Sequence, residues 1–263
     1  MTQLPVAFAG KPRPAIQTKH LSIGCFIFER QDQIDFTGPF EVFSRMPNAS
    51  VQVVAKSMAP VHDVKGLTLT PTTTLAQAGE FDILAISGGL GQQALMGDAE
   101  VMQLIRRQAA SSGVLFSVCT GALLCGAAGV LRGLKATTHW AAWDLLHYYG
   151  AEPTKARVVV DGNYVSCAGV TAGLDGALLV ASLLRGRNVA EEIQLDIEYA
   201  PEPLFHSGTP NTARPEVVEA FFREYGKNKA SREAEAQKFA AHFAQQTVMP
   251  SRPRIQRRQE EIN

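Results

Sequence analysis

Short apolar runs alternate with segments of helical periodicity along most of this chain. A short run rich in apolar and β-branched residues is typical of a strand buried in a sheet. Such runs predict strands at 21–29, 50–56, 81–89 and 114–118. Helical spacing predicts helices from about Pro39, over 98–112, 119–131, 141–150, 171–186 and 189–199, and from about 214 to 246. This alternation predicts an α/β fold in which a mostly parallel, flavodoxin-like sheet is sandwiched by helices.

Turn-forming residues indicate where some of these elements begin and end. Thr37 is a candidate cap for the helix near Pro39, since proline is tolerated in a first helical turn. Gly150 is expected to end the short helix predicted at 141–150. Two hairpins are predicted, one at the Asp161-Gly162 pair and one at the sheet edge within the alternating segment 66–75.

The pattern also divides the chain into one large domain between two polar segments. Residues 1–20 are expected to form a flexible extension, and residues 21–225 the folded domain. Residues 226–263 are expected to form a charged tail that is helical at first and then disordered, because its last stretch has no apolar face.

Composition narrows the possible partners. The chain has 263 residues with 25 basic and 25 acidic side chains, so its formal net charge is zero. A balanced charge gives no long-range attraction to nucleic acid or a membrane surface, and no apolar run reaches the roughly 18 residues that span a bilayer. The polar N-terminus does not resemble a signal peptide. A small-molecule partner and a cytoplasmic location are therefore expected.

The four cysteines do not form a recognisable metal or disulfide pattern. None belongs to a C-x-x-C pair, and reduced thiols are the simplest interpretation. No phosphate loop, dinucleotide fingerprint or metal-binding helix pair is present, so no metal or cofactor is predicted. Cys25 and Cys167 fall within strands and Cys125 within a helix, where a free cysteine usually acts as a small buried hydrophobe.

Cys119 differs because it follows a buried strand directly and precedes Thr120, Gly121 and a helix of small residues. This order is typical of a nucleophile elbow, in which a sharp strand-to-helix turn presents the side chain at the carboxyl edge of the sheet. The N-terminus of the following helix favours a thiolate. We therefore expect Cys119 to be a nucleophile with a lowered pKa.

Other candidates lie where neighbouring strands end. Gly88 and Gly89 follow the strand at 81–89, and with the Thr120 N–H their backbone could bind an oxyanion or form an ordinary turn. Asp35 falls in the loop after the first strand, where a carboxylate is either catalytic or simply solvated. His139 is either a base for Cys119 or a hydrogen-bonded structural residue.

Several segments, taken in order, resemble the ThiJ/PfpI superfamily of class I glutamine-amidotransferase-like domains. They are FTGPFEVF, ISGG, SVCTGALLCGAAGVLRG, ATTHW and SCAGVTAGLDGALLV. The combination IDFTGPF, SVCTG and ATTHW, with QLDIEYAPEPLF, is similar to the isonitrile hydratase branch. The resemblance covers about residues 20–225.

The resemblance implies a cofactor-free lyase that adds water to an isonitrile and gives an N-substituted formamide. It implies Cys119 as nucleophile, with Asp35 and Thr120 as its catalytic partners and Gly89 as a clamp. It also implies a homodimer. Thr120 replaces the histidine of protease-like members, which speaks against peptidase or glutaminase activity. A glyoxalase or deglycase that uses His139, and a non-catalytic ligand sensor, remain as alternatives.

Overall fold

The computed structural model describes residues 18–111 and 113–246. At its centre is a seven-stranded sheet in the order β10-β11-β7-β6-β1-β2-β5, and every neighbouring pair is parallel except β10 and β11. The strands of this sheet are β1 Leu21–Phe26, β2 Ala49–Ala55, β5 Thr73–Thr74, β6 Ile83–Ile86, β7 Val114–Val118, β10 Val158–Asp161 and β11 Tyr164–Cys167. The two short sheets consist of β3 Val61–His62 with β4 Thr68–Leu69, and β8 Lys135–Ala136 with β9 Glu152–Pro153. The predicted α/β class and mostly parallel sheet are confirmed.

Helices cover both faces of this sheet. They are α1 Gln33–Phe43, α2 Gln92–Leu95, α3 Ala99–Ala110, α4 Gly121–Ala127, the 3-10 helix Trp140–Tyr149, α5 Ala172–Arg185, α6 Arg187–Asp196 and α7 Pro215–Gln246. The core cluster on one face contains residues of α1, α5 and α6, and that on the other face contains residues of α3, α4, the 3-10 helix and α7. The strands between these layers are buried on both sides, which is why β1, β6 and β7 have nearly continuous apolar sequences.

The order of the strands locates a crevice at the carboxyl edge of the sheet. The chain passes from β1 to β2 on one side and later adds β6 on the other side of β1. The connections at the carboxyl ends of β1 and β6 therefore leave in opposite directions, which opens a space for a ligand between them. The segments after β1, β6 and β7 meet at this edge because the three strands are neighbours.

The first helix begins earlier than the sequence predicts. Helix α1 starts at Gln33, so Pro39 lies inside it and Thr37 is not its cap. Asp32 caps it instead, accepting a hydrogen bond from the Ile34 N–H at 3.2 Å. Six residues therefore join the helix ahead of the proline, and the predicted loop that carries Asp35 is in fact its first turn.

The segment 66–75 does not form the predicted edge hairpin. Its first part, β4, pairs antiparallel with β3, and its last part, β5, pairs parallel with β2. Thr72 exchanges hydrogen bonds with Val53, through its own N–H and its side chain, and this holds the second half of the segment on β2. The other hairpin, β10 with β11, forms at Asp161-Gly162 as predicted.

The C-terminal helix packs on the domain. Helix α7 continues without a break across the boundary predicted at residues 225 and 226, and it contacts the 3-10 helix. Two side chains from the segment expected to be a tail, Arg232 and Ala236, are buried. The predicted flexible extension, up to residue 17, and the predicted disordered end, from residue 247, lie outside the described residues. No helix in the described ranges is long and apolar enough to cross a membrane.

Candidate active site

Cys119 lies on a strained turn between β7 and α4. Its φ angle is +56°, a left-handed conformation that a residue with a Cβ adopts only when the surrounding structure imposes it. The Cys119 N–H donates to the carbonyl oxygens of Cys167 and Ala168, and the Thr138 hydroxyl donates to the Cys119 carbonyl at 2.6 Å. These bonds hold the backbone on both sides of the thiol, as a nucleophile elbow requires.

Asp35 is buried beside this thiol. It is only 1% exposed, and its Oδ2 accepts a hydrogen bond from the Gly88 N–H at 2.8 Å. The other oxygen, Oδ1, is buried and has no N–H or O–H donor among residues 18–111 and 113–246. The interpretation of Asp35 as a solvated loop carboxylate is therefore wrong, because the first turn of α1 points it into the site.

Burial controls the protonation of Asp35. Desolvation raises the pKa of this carboxyl well above its usual range, and the nearby charge of Asp32 raises it further. The Gly88 N–H and the Cys119 side chain oppose the shift by hydrogen bonding to the carboxylate. The net direction is upward, so Asp35 retains a proton more readily than an exposed aspartate does.

The expectation of a lowered pKa for Cys119 is wrong. Burial and the charge of Asp35 raise the pKa of this thiol well above its usual range, although the Thr120 N–H and the positive charge of Arg232 favour the thiolate. The helix N-terminus acts in the predicted direction, but desolvation outweighs it. Since both pKa values are raised, the pair formed by Cys119 and Asp35 holds at least one proton near neutral pH.

Exposure separates Cys119 from the other thiols. Cys119 is 7% exposed, whereas Cys25, Cys125 and Cys167 are at most 1% exposed. Burial raises the pKa of both Cys25 and Cys125 to about 12. The structural interpretation of these three cysteines is consistent with their surroundings, and Cys119 has the largest exposed fraction of the four cysteines.

The paired glycines hold the other site residues in position. The Gly89 N–H donates to the Thr120 hydroxyl at 3.0 Å, and the Gly88 N–H donates to Asp35. Both N–H groups predicted to bind an oxyanion therefore position side chains in this structure. The oxyanion role of Gly88 and Gly89 stays a prediction that requires one of these bonds to open.

His139 has the contacts of a structural residue. Its Nδ1 accepts a hydrogen bond from the Ala141 N–H at 3.2 Å and so caps the 3-10 helix. Burial, and then the charge of Arg232, lower the pKa of this histidine to about 4. Its ring packs near Trp140 and Phe221. Of the two interpretations left open by the sequence, these contacts support the structural one.

Arg232, on α7, is a site residue that sequence reasoning missed. It is 5% exposed, and its Nη2 donates to the Gly89 carbonyl at 2.8 Å. The composition of its segment suggested a charged helical tail. A helical face was the available signal, because Arg232 falls on the same face as Phe221, Tyr225, Ala236 and Phe239.

The described residues offer no alternative centre based on metal. No group of three or more histidine, cysteine, aspartate or glutamate side chains in that part of the chain could hold a metal ion. The four cysteines are free and buried.

Comparison with known proteins agrees with this geometry. Residues 22–183 match the model of the DJ-1/PfpI family. This chain belongs to the DJ-1/PfpI family. The matched region contains the elbow, the paired glycines and Asp35, so the family assignment and the site rest on the same part of the molecule.

Relatives within the DJ-1/PfpI family differ in how much of the chain they match. Isonitrile hydratase from Pseudomonas putida is 46% identical over 199 residues, which are 76% of this chain and 87% of that protein. A deglycase from Pyrococcus horikoshii is 34% identical over 87 residues, 33% of this chain and 52% of its own length. A ThiJ/PfpI family protein from Pseudomonas syringae superimposes with a TM-score of 0.80 at 35% identity, covering 88% of this chain and 98% of its own.

A methyl group at Gly88 is expected to disrupt this DJ-1/PfpI site. A Cβ there would lie 2.5 Å from the Thr120 nitrogen and 2.9 Å from Asp35 Oδ2. We expect Gly88→Ala to lower the free energy of unfolding by about 1–3 kcal/mol, as overpacking does elsewhere. The change in urea midpoint measures this. Gly79→Ala is the matched control, since a Cβ at Gly79 meets nothing within 4 Å. Equal midpoints for the two variants would contradict the expectation.

Proposed function

We propose that this protein hydrates an isonitrile, R–N≡C, to the N-substituted formamide R–NH–CHO, with Cys119 as nucleophile and Asp35 as acid and then base. One observation carries the proposal: the buried thiol of Cys119, on the elbow, lies beside the buried carboxyl group of Asp35, from the first turn of α1, and the pKa of each is raised. The similarity to an isonitrile hydratase over most of the chain supports the same reaction.

The first step uses the two groups together. The terminal carbon of an isonitrile accepts a proton and a nucleophile on the same atom. In the proposed step, the proton of the pair passes through Asp35 to this carbon, and the Cys119 sulfur bonds to it. The product is the thioimidate R–N=CH–S–Cys119, which contains every atom of the isonitrile and the thiol. A pair that retains one proton carries both reactants of this addition.

Water completes the reaction. The Asp35 carboxylate takes a proton from water and passes it to the nitrogen, while the water oxygen bonds to the thioimidate carbon. The tetrahedral intermediate R–NH–CH(OH)–S–Cys119 then loses its carbon–sulfur bond, and the hydroxyl proton returns to the pair. R–NH–CHO is released and the starting thiol and carboxyl group are regenerated. The Thr120 hydroxyl, held by Gly89, orients the water or the substrate nitrogen.

The burial of Cys119 suits this substrate. The isonitrile group is linear and ends in a carbon that carries no substituent, so it can reach a thiol that is only 7% exposed with little opening of the site. The unpaired Asp35 Oδ1 is a further point in favour, because it can accept a hydrogen bond from the attacking water.

A substrate panel on the purified protein tests the proposal. We expect cyclohexyl isocyanide to be converted to N-cyclohexylformamide, detected by chromatography, and methylglyoxal to be left unchanged. Turnover of methylglyoxal without isonitrile hydration would replace the proposal with the glyoxalase or deglycase alternative. Binding of an isonitrile without any product would indicate a ligand sensor.

A further inference from the structure

Arg232 is a buried cation without an acidic partner. No carboxylate among residues 18–111 and 113–246 lies within 4.0 Å of its guanidinium group, whose hydrogen bonds go to the Gly89 carbonyl and the Tyr225 hydroxyl. A buried charge is costly unless an opposite charge compensates it. Because Arg232 has no ion pair in this part of the chain, we ask which negative charge it compensates.

The hydrogen bonds of Arg232 connect it to the reacting groups. Its Nη2 binds the carbonyl of Gly89, whose N–H holds the Thr120 hydroxyl. The adjacent N–H, that of Gly88, holds Asp35. The guanidinium group of Arg232 is thus connected to the Thr120 hydroxyl through Gly89. The residue next to Gly89 holds Asp35.

We propose that Arg232 is a positioning residue of the active site: it fixes the Gly88–Gly89 turn and compensates the negative charge that Cys119 and Asp35 share during the reaction. This proposal rests on the proposed function for the chemistry of the pair, although its effect on Cys119 is measurable without any substrate. It makes the part of helix α7 that the sequence assigned to a tail, residues 226–246, a part of the catalytic structure.

Several charged and titratable groups surround the Cys119 thiol and Arg232. The groups that influence Cys119 are Asp35 and Asp32 from α1, which disfavour the thiolate, and Arg232 from α7, which favours it. Arg232 also lowers the pKa of two groups on the neighbouring 3-10 helix. They are Tyr149, within that helix, and His139, its cap. Both are neutral near pH 7. Burial and then the charge of Glu235, also on α7, raise the pKa of Tyr149, and burial lowers that of His139. Arg232 is therefore the positive charge whose removal should affect the thiol.

The test compares Arg232→Gln with Arg232→Lys in the full-length protein. Iodoacetamide alkylation of Cys119, followed by peptide mass mapping across a pH series, reports the ionisation of the thiol. Arg232→Gln should move the midpoint of this profile upward by about one pH unit and lower kcat about tenfold or more, with a smaller change in KM. Arg232→Lys keeps the charge but not the planar group, so its midpoint should stay near that of the wild type while kcat falls several-fold.

Arg223→Gln is the matched control, because Arg223 is an exposed residue of the same helix. It should leave the alkylation profile and the turnover unchanged. A folded Arg232→Gln variant with a wild-type alkylation profile would overturn the electrostatic role. If that variant does not fold, Arg232→Lys decides: a wild-type kcat overturns the positioning role, and a midpoint shifted upward overturns the charge role. If the wild-type protein does not hydrate isonitriles, the proposed function is wrong, but the alkylation result remains valid.

Discussion

Cys119→Ala is expected to lower the rate of isonitrile hydration by at least about 10⁴-fold, because no other group of the site can form the thioimidate. Cys119→Ser should be almost as inactive, since a buried hydroxyl is a much weaker nucleophile than a thiol. Initial rates of formamide release, corrected for the folded fraction, measure the loss. Mass spectrometry of the wild type during turnover should also detect the covalent adduct.

Cys25→Ala controls for the general loss of a buried cysteine. Cys25 lies in β1 and is 1% exposed, so its replacement should reduce stability modestly and leave the turnover of the folded protein unchanged. If Cys119→Ala kept more than a tenth of the wild-type rate, the covalent mechanism would have to be abandoned. The family assignment would not be affected.

Asp35→Asn is expected to separate the reactivity of the thiol from catalysis. Asparagine has nearly the same shape and can still accept the Gly88 N–H bond, but it cannot relay a proton. Turnover should therefore fall about 10²–10⁴-fold. The charge of Asp35 raises the pKa of Cys119, so its removal should move the alkylation midpoint to lower pH. The thiol would become easier to alkylate while the enzyme becomes slower.

The same variant should be more stable than the wild type at pH 7. The folded-state pKa of Asp35 is raised, so the folded protein binds this proton more tightly than the unfolded chain does. That contribution to stability is complete below the unfolded pKa, roughly 3.9, and is lost as the pH rises toward the folded value. Asparagine removes the cost of ionisation, and the urea midpoint should increase. A lower midpoint would indicate that the charge of Asp35 stabilises the fold.

Asp32→Asn is the matched control for Asp35→Asn. Asp32 caps α1, and asparagine is an equally good cap, so the helix should remain. Its charge is the smallest of the influences on Cys119, so the alkylation profile should shift only slightly. An equal loss of turnover in both variants would mean that negative charge in general, and not a proton relay at Asp35, is required.

Local sequence was enough to predict the main elements of the fold. The strands β1, β6 and β7 are buried on both faces, so nearly every residue in them is apolar and the runs are unmistakable. The nucleophile elbow was predicted for the same reason, because a buried strand followed at once by a cysteine and a helix of small residues leaves little choice of geometry. The hairpin at Asp161-Gly162 depended only on local turn chemistry.

Elements whose ends depend on one side chain, or on a distant partner, were predicted less well. The proline in α1 suggested a late start, whereas the Asp32 cap allows the helix to begin at Gln33. The segment 66–75 alternates as a hairpin would, yet its last part pairs with β2, a choice made by hydrogen bonds to Val53. Arg232 was assigned to a charged helical tail because composition does not reveal which face of a helix is covered.

The sequence alone therefore determined the α/β fold and the strand-to-helix turn at Cys119, since both follow from short stretches of chain. The place of Asp35 beside the thiol was decided by the tertiary structure. The tertiary structure also decided the protonation of the site. Burial raises the pKa of Cys119 where local reasoning expected it to fall, and it raises the pKa of Asp35 as well. The physical reason is that desolvation and charge compensation are summed over all surrounding elements, including a helix almost two hundred residues away from Asp35 in the chain.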